Sequence, residues 1–387
     1  MKNSKSISAF HLNHLNPKRI TYARELRGLT KKSLAEKINK SPAAVTQFEA
    51  GLKPDVTTLA CIADVLRLPL SFFSVDDTGI VQPSIEEFHF RARASVTQAM
   101  KYRSRRYAEL VMDIFRFLSD YGVVFPKENI SSVQRNIVDG MKVSDVAAMV
   151  RTEWGLLKRP IHDLFPLLEK NGIFIVLLDQ DYNDLEACAT WFDNRPCIML
   201  AYKKFINSAS RLHFDLSHEL GHLFLHDESS RETAKESQAH EFAASFLMPQ
   251  DSFSMDSPRK WHLGMFLELK RKWRVSLQAA LRRSRDLSLI TESSYRWGMV
   301  DISKRGYRQQ EPAEFDVGRP SLLSQAVELV KEQLTLDEFA DGVHIHPDEL
   351  ADILDFQRVD PNTIHEMKRP LVKHKSRIVT FRPKVNS

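Results

Sequence analysis

The stretch RLHFDLSHELGHLFLH, Arg211–His226, constrains this chain more than any other. Leu212, Leu216, Leu220 and Leu223 recur at helical spacing and fill one side of a helix. His218 and His222 stand one turn apart and leave together from nearly the opposite side, accompanied by Phe214 and Leu225. A helix apolar on two faces is a buried one, opened here by Asn207 or Ser208 as cap. Two imidazoles at this spacing meet one tetrahedral metal through their ring nitrogens. Glu219 lies beside them, suited to take a proton from a water that such a metal activates. Gly221, in the middle, predicts close approach of another backbone.

The following segment, SSRETAKESQAHEFAASFLMP, reads as a second helix, capped near Ser229 or Ser230 and stopped before Pro249. Its inward stripe runs through Ala239, Phe242, Ala243 and Phe246. Glu236 falls on the edge of that stripe, and a buried carboxylate needs a partner such as a metal. Glu232, His240 and Glu241 compete with it as third ligand; His240 is also placed to orient a ligand, as is His226.

The segments FDLSHELGHLFLH and ESQAHEFAASFLMP, with GIFIVLLDQ and EACATWFDNRPCIMLAY before them, resemble the ImmA/IrrE family of metallopeptidases over roughly Met112 to Asp251. The resemblance implies Zn2+ as cofactor, His218, His222 and Glu236 as its ligands, and Glu219 as the catalytic base. It also implies an endopeptidase acting on a repressor or antitoxin-like protein in a stress response. The family usually carries Asn or Asp where His240 stands. Donors for an oxyanion are sought among His226, Tyr202 and His213. Ala187–Trp191 and Cys197–Tyr202, joined at Asp193–Asn194, read as a hairpin whose open edge is suited to pair with an extended substrate.

The chain also has a basic front. Residues 17–106 hold 16 Lys and Arg against 9 Asp and Glu, which leaves the remainder slightly acidic. A basic segment suits nucleic acid, although a solvated surface has the same composition. Here the helical patterns are short and punctuated. Ile20, Ala23 and Leu26 precede a stop at Gly28; Thr30 caps a helix with Leu34, Ala35 and Ile38; Ser41 and Pro42 open the next, stopped at Gly51. Val56, Leu59, Ile62, Ala63 and Leu66 follow as an inward face. GLTKKSLAEKINKSPAAVTQFEAGLKPDVTTLACIADVLRLPLSFF resembles the XRE, phage-repressor-like helix-turn-helix family. That resemblance makes Ser41–Ala50 the recognition helix. Ala43, Ala44 and Gln47 then face the major groove, Gln47 suited to adenine and the alanines to thymine methyls. Lys31 and Lys32 are placed for phosphates. Where Lys31 stands the family commonly has Gln.

The fold class expected is mainly α with a small β-sheet (α+β). The expected organisation is a flexible N-terminus over 1–16, a helix-turn-helix domain over 17–74, and a linker with a basic helix start over 75–110. A metallopeptidase-like domain follows over 111–256, then a mostly helical basic region over 257–387. Lys101, Arg103, Arg105 and Arg106 open an amphipathic helix with Tyr107, Leu110, Val111, Ile114 and Leu118 inward, and are suited either to phosphates or to solvent. In the last region LELKRKWRVSLQAALRRSRDLSLI is helical and basic, and TLDEFADGVHIHPDELADIL echoes a small helix-turn-helix. From Lys368 onward there are seven Lys or Arg and no acids.

The start, MKNSKSISAFHLNHLNPKRI, has no continuous apolar run and predicts no secretory signal. Three cysteines outside any metal spacing predict buried free thiols, although Cys188 and Cys197 flank the hairpin turn; a cytoplasmic protein with no membrane partner is expected. Two functions are carried forward: a DNA-binding regulator with an active zinc peptidase, and a transcription factor whose peptidase-like domain only senses or dimerises. The partners expected are a double-stranded DNA operator, a protein substrate, a second copy of the chain and, as a further candidate, single-stranded DNA.

Overall fold

The computed structural model describes residues 14–76, 97–138, 140–178, 186–205, 207–226, 232–316 and 318–369. Residues 1–13, most of the expected linker, the cap at Ser229 or Ser230 and the basic stretch from 370 onward lie outside the described residues. The chain forms two compact units. One holds the described residues up to Phe125 together with 321–369, the other those of 126–320. The segment read in sequence as one C-terminal region, 257–387, is thus divided between them.

The first unit opens with α1 (Pro17–Leu26), α2 (Lys31–Lys37), α3 (Pro42–Glu49) and α4 (Val56–Leu66). Asn16, Thr30, Ser41 and Asp55 each accept a first-turn backbone N–H of the helix they open, satisfying donors that a helix start leaves bare. Gly28 takes φ 64°, which ends α1 at no steric cost. Ile20, Ala23, Leu26, Leu34, Ala35, Ile38, Leu59 and Ile62 are buried as their periodicity predicts, and Val45 joins them. Val56 is not: it is 38% exposed, because it opens α4 and projects past the core.

Helix α5 (Gln98–Asp120) packs on α1. Its basic start turns partly inward. Arg105 pairs with Glu109, and Arg106 pairs with both Glu25 and Glu109, each at 2.8 Å. Burial beside those two carboxylates makes phosphate binding by Arg106 unavailable without breaking the α1–α5 joint.

The second unit contains α6 (Ile130–Gln134), α7 (Val143–Glu153), α8 (Leu164–Lys170), β1 (Phe174–Leu177), β2 (Ala187–Phe192) and β3 (Arg195–Leu200). The hairpin β2–β3 turns at Asp193 and Asn194, with φ of 49° and 59°, the conformation a two-residue turn requires. β1 joins β3 in parallel, giving the order β1-β3-β2. Cys188 lies opposite Met199 and Cys197 opposite Thr190, so the hairpin does not pair the thiols; none of the three cysteines is in a disulfide, and Cys61, expected to be buried, is half-buried. The unit continues with α9 (Ala209–Leu225), α10 (Glu232–Leu247), α11 (Gln250–Asp256), α12 (Leu263–Trp273), α13 (Leu277–Asp286) and α14 (Glu292–Lys304). Phe242 and Phe246 on α10 are fully buried, each contributing roughly 1.5–3 kcal/mol of burial free energy. The basic run over α12 and α13 is partly internal: Lys270 is fully buried one turn from Phe266, and Arg283 is nearly so, donating to the Met248 carbonyl at 3.1 Å.

The chain then re-enters the first unit as α15 (Leu322–Val330), α16 (Leu336–Gly342), α17 (Pro347–Phe356) and α18 (Pro361–Met367). Phe339 stacks on Phe117 of α5 at 5.0 Å, Tyr121 donates to the Gln333 carbonyl, and Glu349 grips Arg27 through two hydrogen bonds of 2.7 and 2.8 Å. The weak sequence echo is a close structural repeat. Thr335 caps α16 as Thr30 caps α2; Phe339, Ala340 and Val343 stand where Leu34, Ala35 and Ile38 stand. His344 (φ 58°) matches Asn39 (φ 57°), and Pro347 opens α17 as Pro42 opens α3. The outer faces differ: Asp348, Asp352 and Asp355 are exposed at the positions of Ala43, Gln47 and Ala50. Among the described residues no helix is long and apolar enough to cross a membrane.

Candidate metal centre

Helix α9 is held at both ends. Ser208 occupies the cap position but makes no side-chain cap bond. Glu314 takes its place, accepting from the Ser210 backbone N–H at 3.0 Å and hydroxyl at 2.8 Å, a carboxylate where the helix start favours negative charge. Lys270 donates to Glu314, to Glu311 at 2.7 Å and to Ser210 at 3.2 Å. At the other end Gln134 donates to the carbonyl of Leu223 at 2.9 Å. Beside α9 runs α10, and the two meet at Gly221: a Cβ there would lie 3.1 Å from the Ala239 Cα and from the Phe242 Cβ. That approach brings Glu236 to the histidines. Arg151 supports the far end of α10 through the Phe246 carbonyl; burial pulls its guanidinium to about 10, still charged at neutral pH.

His218, His222 and Glu236 converge. Their nearest atoms are 3.1 Å apart (His218 Nε2 to His222 Nε2), 3.3 Å (His218 Nε2 to Glu236 Oε2) and 3.2 Å (His222 Nε2 to Glu236 Oε1). A tetrahedral zinc with bonds of about 2.0–2.1 Å spaces its ligand atoms about 3.3 Å apart, so the three donors already have the edge lengths of such a site. Both rings are buried, while the Glu236 side chain is 40% exposed. Contact with the imidazoles of His218 and then His222 holds its carboxyl well below the usual carboxylate range. Among the described residues this is the cluster that could hold a metal ion. Of the competing ligands, the Glu232 side chain lies outside the described residues, and neither His240 nor Glu241 joins the cluster.

Residues 168–285 match the family model described as the IrrE N-terminal-like domain. Residues 20–73 match the helix-turn-helix model. The chain thus joins a segment similar to helix-turn-helix regulators to one similar to the IrrE-like domain, a peptidase family. No curated protein and no solved structure matches it.

The other expected residues fall as follows. Glu219 is fully buried on α9 of the IrrE-like domain. His226 places Nδ1 2.9 Å from Nδ1 of His222 and Nε2 3.0 Å from Oε1 of Gln238. His240 packs its ring on Phe214 at 4.7 Å and lies 6.3 Å from the His218 ring, so it touches the site through packing. A cleft of about 950 Å³ opens beside the triad, with His218, Glu236, His240, Arg211 and Tyr307 in its wall. Neither Glu219 nor His222 is in that wall. The cleft is lined by helices and loops rather than by the hairpin, which leaves substrate pairing on β2 without a cleft contact. Of the oxyanion candidates, Tyr202 donates to the Gly318 carbonyl, His226 is engaged with His222, and His213 is buried against Phe315. Sequence reasoning missed Gln238, Glu314 and Lys270; the helical phase of Lys270 with Phe266, Leu269 and Trp273 was the one available signal.

In the helix-turn-helix segment, Lys32, Ala43 and Gln47 are exposed and Ala44 half-exposed. Lys31 stands 3.3 Å from Glu49, which Arg24 also holds, so it is shared between that pair and any phosphate.

Proposed function

We propose that the protein is a DNA-binding transcriptional regulator carrying a zinc-dependent endopeptidase, acting on a repressor or antitoxin-like protein. The reading rests above all on the spacing of His218, His222 and Glu236. These three side chains would hold Zn2+, which when bound supplies a Lewis acid and lowers the pKa of water. Glu219 accepts the proton of the attacking water and returns it to the leaving amine nitrogen. The cleft accepts the substrate chain, its wall carrying arginines (Arg211, Arg282, Arg308) and acids (Asp215, Glu241, Asp286) together. Lys31, Lys32, Ala43, Ala44 and Gln47 read a double-stranded operator, with a homodimer on a two-fold site and single-stranded DNA as a candidate inducer in the cytoplasm.

The complete burial of Glu219 favours a second reading, in which the IrrE-like domain senses or dimerises without hydrolysis. Zinc analysis of the wild type and of Glu219→Gln, with intact-mass measurement after incubation with neighbouring gene products, separates the two. Cleavage by the wild type and its loss in a zinc-loaded variant support the peptidase. Zinc binding with no cleavage of any partner, with and without single-stranded DNA, supports the sensor.

A further inference from the structure

Two residues outside the triad bear on it in sequence. Gln238 presents Oε1 to Nε2 of His226 at 3.0 Å. A carbonyl oxygen only accepts, so His226 Nε2 carries the hydrogen. In a neutral His226 ring Nδ1 is then the acceptor. That atom lies 2.9 Å from His222 Nδ1, which must supply the hydrogen between them. With its hydrogen on Nδ1, His222 turns a lone pair on Nε2 toward His218 and Glu236, as a metal among them requires; without a metal the Glu236 carboxylate 3.2 Å away draws the hydrogen to Nε2, and the Gln238–His226 pair opposes that pull. Reversing Gln238 would reverse every assignment and put a hydrogen where a metal ligand needs a lone pair.

We infer that Gln238 and His226 are positioning residues: they set the tautomer and ring orientation of His222 so that Nε2 is free to ligate. The inference rests on the metal reading above. Glu236 and Gln238 belong to one helix, so a single element delivers both a ligand and the group that prepares its neighbour. Gln238 is exposed, so its substitution does not disturb a core.

The test uses the full chain and zinc alone. Zinc affinity is measured by chelator competition for wild type, Gln238→Leu, Gln238→Glu and His226→Phe, with thermal melting of each metal-free protein. Gln238→Leu removes the acceptor and is expected to weaken zinc about tenfold, and His226→Phe by roughly ten- to a hundredfold. Gln238→Glu keeps an acceptor and is expected to restore affinity to within about twofold. Metal-free melting should not change for the Gln238 variants. Wild-type affinity in Gln238→Leu, or equal weakening in Gln238→Glu, overturns the inference while leaving the metal reading intact. A wild type that binds no zinc overturns both.

Discussion

At the scale of single residues, the site separates into groups that hold, react and support. Glu236→Ala removes a third of the donor set and is expected to abolish stoichiometric zinc at neutral pH; retained metal by atomic absorption would contradict the ligand assignment. Glu219→Gln should keep zinc and lose roughly 10²- to 10⁴-fold in cleavage rate. His213 gives a separate handle on stability. Burial first, and then the charge of Arg274, pull its imidazole to about 3. The unfolded chain takes a proton on this ring from about pH 6.5 downward while the folded one does not. The stability of the second unit should therefore fall as pH drops from about 6.5 to about 3, by roughly 1 kcal/mol per pH unit, and His213→Gln should flatten that slope in urea titrations. The two histidines of the cluster were legible because their relation is local, fixed by one turn of helix. Glu236 was legible from the edge of a buried stripe. The partnership of Lys270 with Glu311 and Glu314 was not, because it spans some forty residues with no periodic trace.

At the scale of elements, the candidate centre depends on how closely α9 and α10 approach. Gly221→Ala places a methyl 3.1 Å from the Ala239 backbone, and one helix must give way. The expected cost is about 1–3 kcal/mol of stability, with a weaker zinc site because Glu236 moves with α10. Unchanged melting and unchanged zinc affinity would show that the contact is not what fixes the distance. The hairpin was legible in its turn residues, Asp193 and Asn194, and the helices in their caps. The parallel pairing of β1 on β3 was not, since nothing local in FIVL specifies which strand it joins. The same limit applied to Arg106, whose charge reads as a phosphate surface until Glu25 arrives from α1.

At the scale of the whole molecule, the two similar helix-turn-helix pairs have opposite surfaces. Gln47→Ala is expected to cost about 1–3 kcal/mol on the cognate operator, and Lys32→Ala to lower the salt slope of binding by about one. Asp348→Asn with Asp352→Asn should leave operator affinity unchanged in the same titration, since acidic side chains at those positions repel phosphate and keep α17 off it; a large change in either direction would place α17 beside DNA. The first unit is also assembled from distant parts of the chain. Arg27 with Glu349, Phe117 with Phe339 and Tyr121 with Gln333 all bridge the gap. A ribosome releases the chain from its beginning, so the contacts of α1 and α5 with residues 321–369 wait until residues 126–320 have been synthesised. A nascent chain cannot finish the first unit before every residue of the candidate metal cluster has left the exit tunnel.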